Sequence, residues 1–383
     1  MKSNYKKLGQ YIRQTDERNR NLAITNLQGV SITKEFVPSI ANIIGTDLST
    51  YKIVRTGQFA YGPVTSRNGD KISVALLKGE DCIISSSYVP FEVYKPDELI
   101  SEYLMLWFMR PEFDRYARFM SNGSAREVFD WECMCSVELP VPPITEQHKI
   151  VHTFQVITER IALLQKIIEK TDAVVHTYME KWMKEHDSIE GKLCDYCHME
   201  YGFTETALTE AVGPKFLRIT DITDIYIDWN EVPYCPISEK ELGKYKLRKG
   251  DIVVARTGAT SGAAKMIWTD APDAVFASFL VRVIANDPEL QLFLGMCITD
   301  EKFYKYVQAN AEVAGSAQPQ ANPPLLGQYA ISIPKKTDLT KFNATVSSYF
   351  NFIAKCATDI SKLKAFQKLL LSGLANNRKR SVM

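Results

Sequence analysis

Two stretches of this chain repeat one series of apolar residues at helical heptad spacing, 192 residues apart. In each series the positions recur in steps of three and four, which places them on one face of a helix. Neither Gly nor Pro occurs within residues 150–186 or 340–372. Such a stripe predicts two helices that pack against each other through a coiled-coil seam, each roughly 50 Å long at 1.5 Å per residue. The alternative, two ordinary core helices of separate domains, is less favoured because the strict period is so long. The predicted seam residues are Ile150, Phe154, Ile157, Ile161, Leu164, Ile168, Val346, Tyr349, Ile353, Ile360, Leu363 and Leu370.

The repeat extends to the segments that precede each heptad series. Glu112-Phe-Asp-Arg-Tyr116 aligns with Lys302-Phe-Tyr-Lys-Tyr306, and Gly123-Ser-Ala125 aligns with Gly315-Ser-Ala317. Further upstream, Tyr51-Lys52 followed by Gly57 aligns with Tyr245-Lys246 followed by Gly250. An offset that changes only slightly along the chain indicates an internal duplication with loop insertions.

The blocks between the helices have a different pattern. Short apolar runs such as 71–77, 82–84, 251–255 and 279–284 are bounded by turn residues, which predicts strands. The expected fold class is α/β, with two globular domains joined by two long antiparallel coiled-coil helices. The predicted division is a first domain at 1–147, a central helix at 148–187, a second domain at 188–336, a distal helix at 337–376 and a basic tail at 377–383.

Charge and hydropathy exclude several classes of protein. The net charge is +1, and the two globular blocks are each acidic by about five charges, while residues 336–383 carry a charge of +7. Because phosphate neutralisation dominates affinity for nucleic acid, this balance predicts weak DNA binding by the chain alone. No uncharged apolar run suits a membrane span and no signal peptide is apparent, so we expect a cytoplasmic protein without membrane contact.

The junction before the first long helix carries a resemblance to a known family. Pro142-Pro-Ile-Thr-Glu-Gln147 is similar to the central region of the specificity subunit of type I restriction-modification systems, where such a segment leads from the first target recognition domain into a spacer helix. Lys249-Gly-Asp-Ile-Val-Val-Ala-Arg-Thr-Gly-Ala-Thr-Ser-Gly262 resembles a strand and Gly-rich turn of those domains. The second junction, Pro334-Lys-Lys-Thr-Asp-Leu339, departs from the Pro-Pro-x-x-Glu-Gln pattern.

The resemblance implies a non-catalytic subunit that reads an asymmetric bipartite site on double-stranded DNA, without a cofactor or metal. It also implies two methyltransferase subunits and restriction/translocase subunits as partners. Polar and basic residues around the Gly-containing turns suit contacts with phosphates and base edges. The predicted DNA-binding residues are Arg55, Gln58, Tyr61, Arg67, Asn68, Lys71, Ser86, Tyr88, Arg256, Thr257, Thr260, Ser261 and Lys265.

Two motifs offer enzymatic or metal-binding alternatives. Cys194-Asp-Tyr-Cys-His198 has the form of a haem c attachment site or half of a zinc site, but it lacks an export signal and a second C-x-x-C. Asn322-Pro-Pro-Leu325 resembles the Asn-Pro-Pro-aromatic motif of adenine methyltransferases, with leucine in place of the aromatic residue. A turn is the preferred interpretation of this motif. An adenine methyltransferase, or a coiled-coil scaffold that binds no DNA, remain the alternatives.

Overall fold

The computed structural model describes residues 5–40, 45–66, 68–123, 126–268, 271–313 and 319–376. The chain divides into two compact units. Unit 1 comprises residues 1–159 and 365–383, and unit 2 comprises residues 160–364. Among the described residues, no helix combines the length and the apolar character needed to cross a membrane.

The described part of unit 1 contains a small mixed α/β domain with short strands and three short α-helices. Its elements are β1 (Tyr5–Lys7), β2 (Ile12–Gln14), β3 (Gln28–Val30), β4 (Phe36–Pro38), β5 (Lys52–Val54), β6 (Phe59–Tyr61), β7 (Val74–Leu76), β8 (Cys82–Ile84), β9 (Val89–Val93), α1 (Ser101–Phe108), α2 (Pro111–Met120), α3 (Trp131–Ser136) and β10 (Glu138–Pro140). The long helix α4 (Ile144–Glu185) follows and continues into unit 2.

The centre of this domain is an antiparallel sheet of order β2-β9-β6-β7. All three residues of β6 are buried, because the strand is covered on both faces. Phe59 stacks on Phe91 with ring centroids 4.9 Å apart, and Phe108 packs on Phe113 at 4.7 Å. Aromatic residues therefore supply much of the apolar core.

Unit 2 contains a second domain of the same kind. Its elements are β11 (Ser188–Lys192), α5 (Leu193–Tyr196), β12 (Cys197–Tyr201), β13 (Lys215–Leu217), α6 (Glu239–Tyr245), β14 (Ile252–Ala255), β15 (Ala264–Met266), β16 (Ala274–Phe276), β17 (Leu280–Ala285), α7 (Gln291–Ile298), α8 (Glu301–Asn310), β18 (Glu312–Val313), β19 (Pro319–Gln320), α9 (Pro323–Gly327) and β20 (Ala330–Pro334). The last long helix is α10 (Lys336–Gly373), and its final turns belong to unit 1.

The two domains share one topology, which confirms the internal duplication. The sheet β12-β17-β14-β15 repeats the order and antiparallel pairing of β2-β9-β6-β7. The pairs β1·β10 and β11·β20 join the first and last strands of each domain. The predicted equivalence of Gly57 and Gly250 also holds, because both have a positive φ and each lies two residues before the equivalent strands β6 and β14.

The two long helices pack against each other in each unit, and they run antiparallel in unit 2. There Trp182, near the end of α4, packs on Phe342, near the start of α10, with ring centroids 4.8 Å apart. Ile168 and Ile353, nearer to the middle of each helix, line one cavity. In unit 1, Gln367 donates a hydrogen bond from Nε2 to Thr158 Oγ1 at 2.7 Å.

Burial along the helices follows the heptad stripe. On α4 the buried members are Phe154, Ile157, Ile161, Leu164, Ile168, Val175 and Trp182, while Ile150 is half-buried. On α10, Val346 and Ile360 are buried, and Tyr349, Ile353, Leu363 and Leu370 are half-buried. Near the end of α10 the buried positions become Leu371 and Leu374, which lie in the same core cluster as Phe154. The predicted long helices and their apolar stripe are therefore confirmed.

The first turn of α4 is fixed by a fully buried glutamine. Gln147 donates from Nε2 to the carbonyl oxygens of Glu98 at 2.7 Å and Pro142 at 2.8 Å. Its Oε1 accepts a hydrogen bond from the Ile100 backbone N–H at 3.0 Å. The second copy has Leu339 at the matching position, where it is buried in an apolar cluster instead. The second junction therefore differs from the first because an apolar side chain, Leu339, replaces the hydrogen-bonding side chain of Gln147.

Candidate nucleic-acid interface

In each unit, two loops meet at one end of the central sheet. Tyr61 pairs with Val89 in unit 1, and Val254 pairs with Val281 in unit 2. The turn after β6 therefore lies beside the segment that enters β9, and the turn after β14 lies beside the segment that enters β17. We call these places turn surface 1 (residues 63–66, 68–71 and 85–88) and turn surface 2 (residues 256–262 and 277–279).

Turn surface 1 carries four of the predicted DNA-binding residues. Lys71 and Ser86 are exposed, whereas Asn68 and Tyr88 are half-buried. Asn68 Nδ2 donates to the Val64 carbonyl oxygen at 3.3 Å, and the Lys71 N–H donates to the Asn68 carbonyl oxygen at 3.2 Å, so the turn is folded on itself. Arg67 lies outside the described residues.

Arg55 and Gln58 lie at the opposite end of β6 from turn surface 1. Arg55 forms ion pairs with Glu17 and with Asp81, the latter at 2.7 Å. These hydrogen bonds raise the pKa of Arg55 above its usual value and lower the pKa of Asp81. Gln58 donates from Nε2 to Glu92 at 2.9 Å. The structure therefore does not bring these two residues together with the turn residues.

Tyr61 requires a correction. Its side chain has 0% exposure and packs edge-on against Phe91 and Phe129 in the core of unit 1. A fully buried phenol has no surface to offer a base or a phosphate. Burial also raises the pKa of Tyr61, since the phenolate form is costly in an apolar surrounding. Tyr61 is a core residue.

Turn surface 2 contains the Gly-rich turn predicted from the sequence. Gly258 and Gly262 both have φ near +90°, the left-handed region that favours glycine. Arg256, Thr257 and Thr260 are half-buried at this surface. Ser261 is fully buried and its carbonyl oxygen accepts a hydrogen bond from Gln308, so its side chain is unavailable to DNA and its prediction is also corrected.

Lys265 lies on β15, beyond the turn. It lines a cavity of about 150 Å³ together with Asp172 and His176 of α4. Its Nζ donates to the Ile225 carbonyl oxygen at 3.2 Å, and burial lowers the pKa of Lys265. This amine lies beside α4 residues within unit 2, and its contact with DNA stays a prediction.

Sequence reasoning missed two aromatic residues, one in turn surface 2 and one packed beside it. Tyr201, at the end of β12, and Phe279, just before β17, are 44% and 59% exposed. The guanidinium carbon of Arg256 lies 4.7 Å from the centroid of the Tyr201 ring. The sequence offered a signal for Phe279, which directly follows Ala277-Ser278 at the start of an apolar run. It offered none for Tyr201, which is 55 residues from Arg256 in sequence.

The two enzymatic motifs have local structural explanations. Asn322 is the N-cap of α9, where its Oδ1 accepts a hydrogen bond from the Leu325 N–H at 2.9 Å and Pro323 follows in the first turn. Cys197 is buried in β12, whereas Cys194 is exposed. The described part of the chain contains no group of three or more His, Cys, Asp or Glu suited to hold a metal ion.

Two copies of one α/β domain, with two long helices packed together in each unit, define an internally duplicated α/β protein. Residues 32–171 match the model of the family described as Type I restriction modification DNA specificity domain. The Type I restriction enzyme EcoKI specificity subunit of Escherichia coli (strain K12) is 21% identical over 217 residues, which are 49% of this chain and 47% of that protein. The chain therefore spans about half the length of this curated relative.

A solved structure extends the likeness to nearly the whole chain. The S subunit of a type I restriction-modification system from M. genitalium is 13% identical with a TM-score of 0.57, covering 98% of this chain and 96% of that chain. The chain thus has the fold of a type I specificity subunit. The resemblance predicted from the sequence is confirmed.

Proposed function

We propose that this chain is the non-catalytic DNA sequence-recognition subunit of a type I restriction-modification complex. The proposal rests on the fact that the two domains have the same central sheet but carry different residues in the turns at the same end of it. Turn surface 1 presents Asn68, Lys71 and Ser86, whereas turn surface 2 presents Arg256 and Thr257. A shared framework with divergent loops suits two readers of different short sequences.

Each unit would read one half of an asymmetric bipartite target on double-stranded DNA. Since α4 and α10 each contribute residues to both units, we infer that the helix pair sets the length of the unread spacer. A duplex offers the same groove face once per turn, so a spacer of fixed length follows from a fixed separation between the readers.

The partners are inferred from a second stripe on α4. Residues 160, 163, 167, 170 and 174 follow steps of three and four on the exposed side of the helix. Leu163, Ile167 and Val174 are 57%, 40% and 51% exposed, Arg160 precedes them in the row, and Lys170 lies between Ile167 and Val174. An exposed apolar row flanked by cations suits a partner helix with apolar and acidic residues.

A similar stripe occurs on α10. Phe352, Phe366 and Leu369 are exposed at heptad positions, with Lys355 and Lys362 between them. We propose that helices of two methyltransferase subunits pack on these stripes, and that restriction/translocase subunits join the resulting complex. The complex would act in the cytoplasm, on the host chromosome and on incoming DNA.

Methylation would come from a partner, because the capping role of Asn322 leaves its carbonyl oxygen engaged with the α9 backbone. The scaffold alternative without DNA binding is disfavoured by the match to a DNA specificity domain. The acidic balance of both domains and the ion pairs of Arg55 favour weak DNA binding by the isolated chain.

Methylation-sensitive long-read sequencing of the native genome tests the proposal. We expect one asymmetric two-part motif with a fixed spacer, modified in the wild type and unmodified after deletion of this gene. Exchange of residues 256–262 for those of a divergent relative should change only one half of the motif. Methyl transfer by the purified chain alone would support the adenine methyltransferase alternative instead. A methylation pattern unaltered by deletion would contradict the proposal.

A further inference from the structure

At turn surface 2 an arginine stacks on the exposed Tyr201 and is joined through its backbone to the exposed Phe279. The Arg256 guanidinium lies over the Tyr201 ring at 4.7 Å, and the Arg256 N–H donates to the Phe279 carbonyl oxygen at 3.0 Å. More than half of the Phe279 side chain is exposed, although an isolated phenyl ring gains free energy by leaving water. The three residues form one patch, which we call the aromatic patch.

The aromatic patch is held by backbone hydrogen bonds from several segments. The Arg256 carbonyl oxygen accepts from the Ala321 N–H at 2.8 Å, and Arg256 Nη1 donates to the Ser278 carbonyl oxygen at 3.4 Å. The Ser278 N–H donates to the Phe203 carbonyl oxygen at 2.7 Å. A side chain presented from such a supported turn loses little conformational entropy on binding.

Close approach of the backbones brings Tyr201 to this patch. A Cβ on Gly202 would lie 2.2 Å from the Ala277 carbonyl oxygen, so only glycine permits the segment after Tyr201 to run against the segment before Phe279.

The charge of Arg256 is unpaired within the described ranges. Arg256 forms no ion pair with a carboxylate of the described residues. By contrast, Arg55 pairs with two carboxylates, and Arg282 pairs with Glu200 and Asp251. Because Arg256 Nη1 donates to the Ser278 carbonyl oxygen and Nε is buried, a contact with phosphate would use the remaining N–H groups of the guanidinium, whose face stacks on Tyr201. The patch therefore combines an anion donor with apolar rings, which is the chemistry of a nucleic acid contact.

We propose that the aromatic patch is the principal DNA contact of unit 2, in which Phe279 packs into a locally unstacked base step and Arg256 binds the adjoining phosphate. The proposal rests on the proposed DNA-recognition function and names the residues that carry it. Apolar side chains inserted at a base step widen or kink the duplex, at a cost that depends on the step. Phe279 would thus select a deformable pyrimidine–purine step in its half-site.

Unit 1 provides an internal comparison. By strand register, Ser87 occupies the position of Phe279, because Val89 and Val281 are the equivalent residues of β9 and β17. Ser87 is exposed and has no apolar ring to insert. The two half-sites should therefore differ in deformation, with the distortion confined to the half read by unit 2.

The test uses the full chain assembled with its methyltransferase subunits and a duplex that carries the genomic motif, with 2-aminopurine placed in turn at each step of both half-sites. Apart from signals at bases that the methyltransferase subunits flip, we expect a fluorescence increase at one step of the half-site read by unit 2, which Phe279→Ala abolishes while weakening binding about 5- to 100-fold. Arg256→Ala should weaken binding and reduce the slope of log affinity against log salt by about one. Phe279→Leu should retain part of the affinity.

Phe119→Ala is the matched control, since Phe119 is 85% exposed on α2 of unit 1 and lies outside both turn surfaces. Unchanged affinity and fluorescence in Phe279→Ala would overturn the aromatic patch while leaving the proposed function intact. Loss of methyltransferase binding, with DNA contact unaltered, would also overturn it, because the patch would then be a protein interface. If the wild-type complex shows no sequence-specific binding, the proposed function itself fails.

Discussion

The side-chain oxygen of Gln147 accepts a hydrogen bond from the Ile100 N–H at 3.0 Å, in a position with no solvent exposure. The same amide donates to two carbonyl oxygens, so one side chain joins the start of α4 to the segment before α1. The Glu-Gln portion of the first junction therefore has a structural purpose, independent of any contact with DNA.

Replacement of Gln147 by leucine should destabilise unit 1. Three backbone groups would lose a hydrogen-bond partner, at about 1–3 kcal/mol for each group that water does not reach, so a loss of about 1–3 kcal/mol or more is expected. Hydrogen exchange of the intact chain measures the effect on unit 1. Gln155→Leu makes the same chemical change at an exposed position of α4 and should alter stability by less than about 0.5 kcal/mol. Equal effects of the two substitutions would contradict the anchoring role.

Arg282 should stabilise unit 2 through a buried ionic network. Its guanidinium reaches Glu200 at 2.5 Å and Asp251 at 3.2 Å, and it also donates to two backbone carbonyl oxygens. Arg282→Met leaves the carboxylates without their cation, which should cost about 3–5 kcal/mol.

Hydrogen exchange of unit 2 amides at increasing urea concentrations measures this loss in the free energy of unfolding. Arg218→Met is the comparison, because the Arg218–Asp221 pair has a more exposed guanidinium and should contribute at most about 1 kcal/mol. A loss below about 1 kcal/mol for Arg282→Met would show that the network is dispensable.

Trp182→Ala should loosen the helix pair in unit 2. The indole packs on Phe342 at 4.8 Å and approaches Phe293 at 6.5 Å, so its removal leaves a cavity at an apolar seam and should cost about 3–5 kcal/mol. Thermal unfolding followed by near-UV circular dichroism reports the change. Val174→Ala, at an exposed position of the same helix, should leave the melting temperature nearly unaltered.

Cysteine alkylation separates the structural interpretation of the C-x-x-C-H motif from a metal site. Burial raises the pKa of Cys197 to about 12, and its Sγ lies 3.2 Å from the Leu193 carbonyl oxygen, whereas Cys194 is exposed. At pH 8, iodoacetamide should therefore label Cys194 readily and Cys197 only after unfolding, as read by peptide mass spectrometry. Joint protection of both thiols, released by a chelator, would instead indicate a bound metal.

Leu163→Asp combined with Ile167→Asp should weaken binding of the proposed methyltransferase partner. Both side chains are exposed, so the substitutions should leave the melting temperature of the isolated chain nearly unchanged while placing charge in an apolar contact. Analytical ultracentrifugation of the mixed subunits measures assembly. Glu159→Gln and Glu169→Gln together are the control, since they change exposed acidic positions beside the stripe. Undiminished assembly of the Leu163 and Ile167 variant would exclude this stripe as the docking surface.

The features predicted correctly from sequence are those that repeat. Ile157, Leu164 and Ile168 were identified because a helical period marks them at several successive turns, and periodicity does not depend on remote partners. Gly57 and Gly250 were paired by the duplication, and both adopt the backbone conformation that favours glycine.

The differences between the predicted site and the structure come from contacts that the local sequence does not contain. Tyr61 lies on a strand covered on both faces, and a three-residue strand is too short for alternation to distinguish one buried face from two. Arg55 meets Glu17 and Asp81, which are 38 and 26 residues away. Phe279 and Tyr201 come close together because β12 pairs with β17, and the sequence alone does not show which strands pair.

The last turns of α10 belong to the core that begins with the first strand. Leu371 and Leu374 pack in the cluster of Phe154, and Tyr5 Oη donates to the Ala375 carbonyl oxygen at 2.9 Å. During synthesis on the ribosome, residues 160–364 emerge before these positions, so unit 2 has all its residues available first. The domain that is translated earliest is consequently the one whose core is complete last.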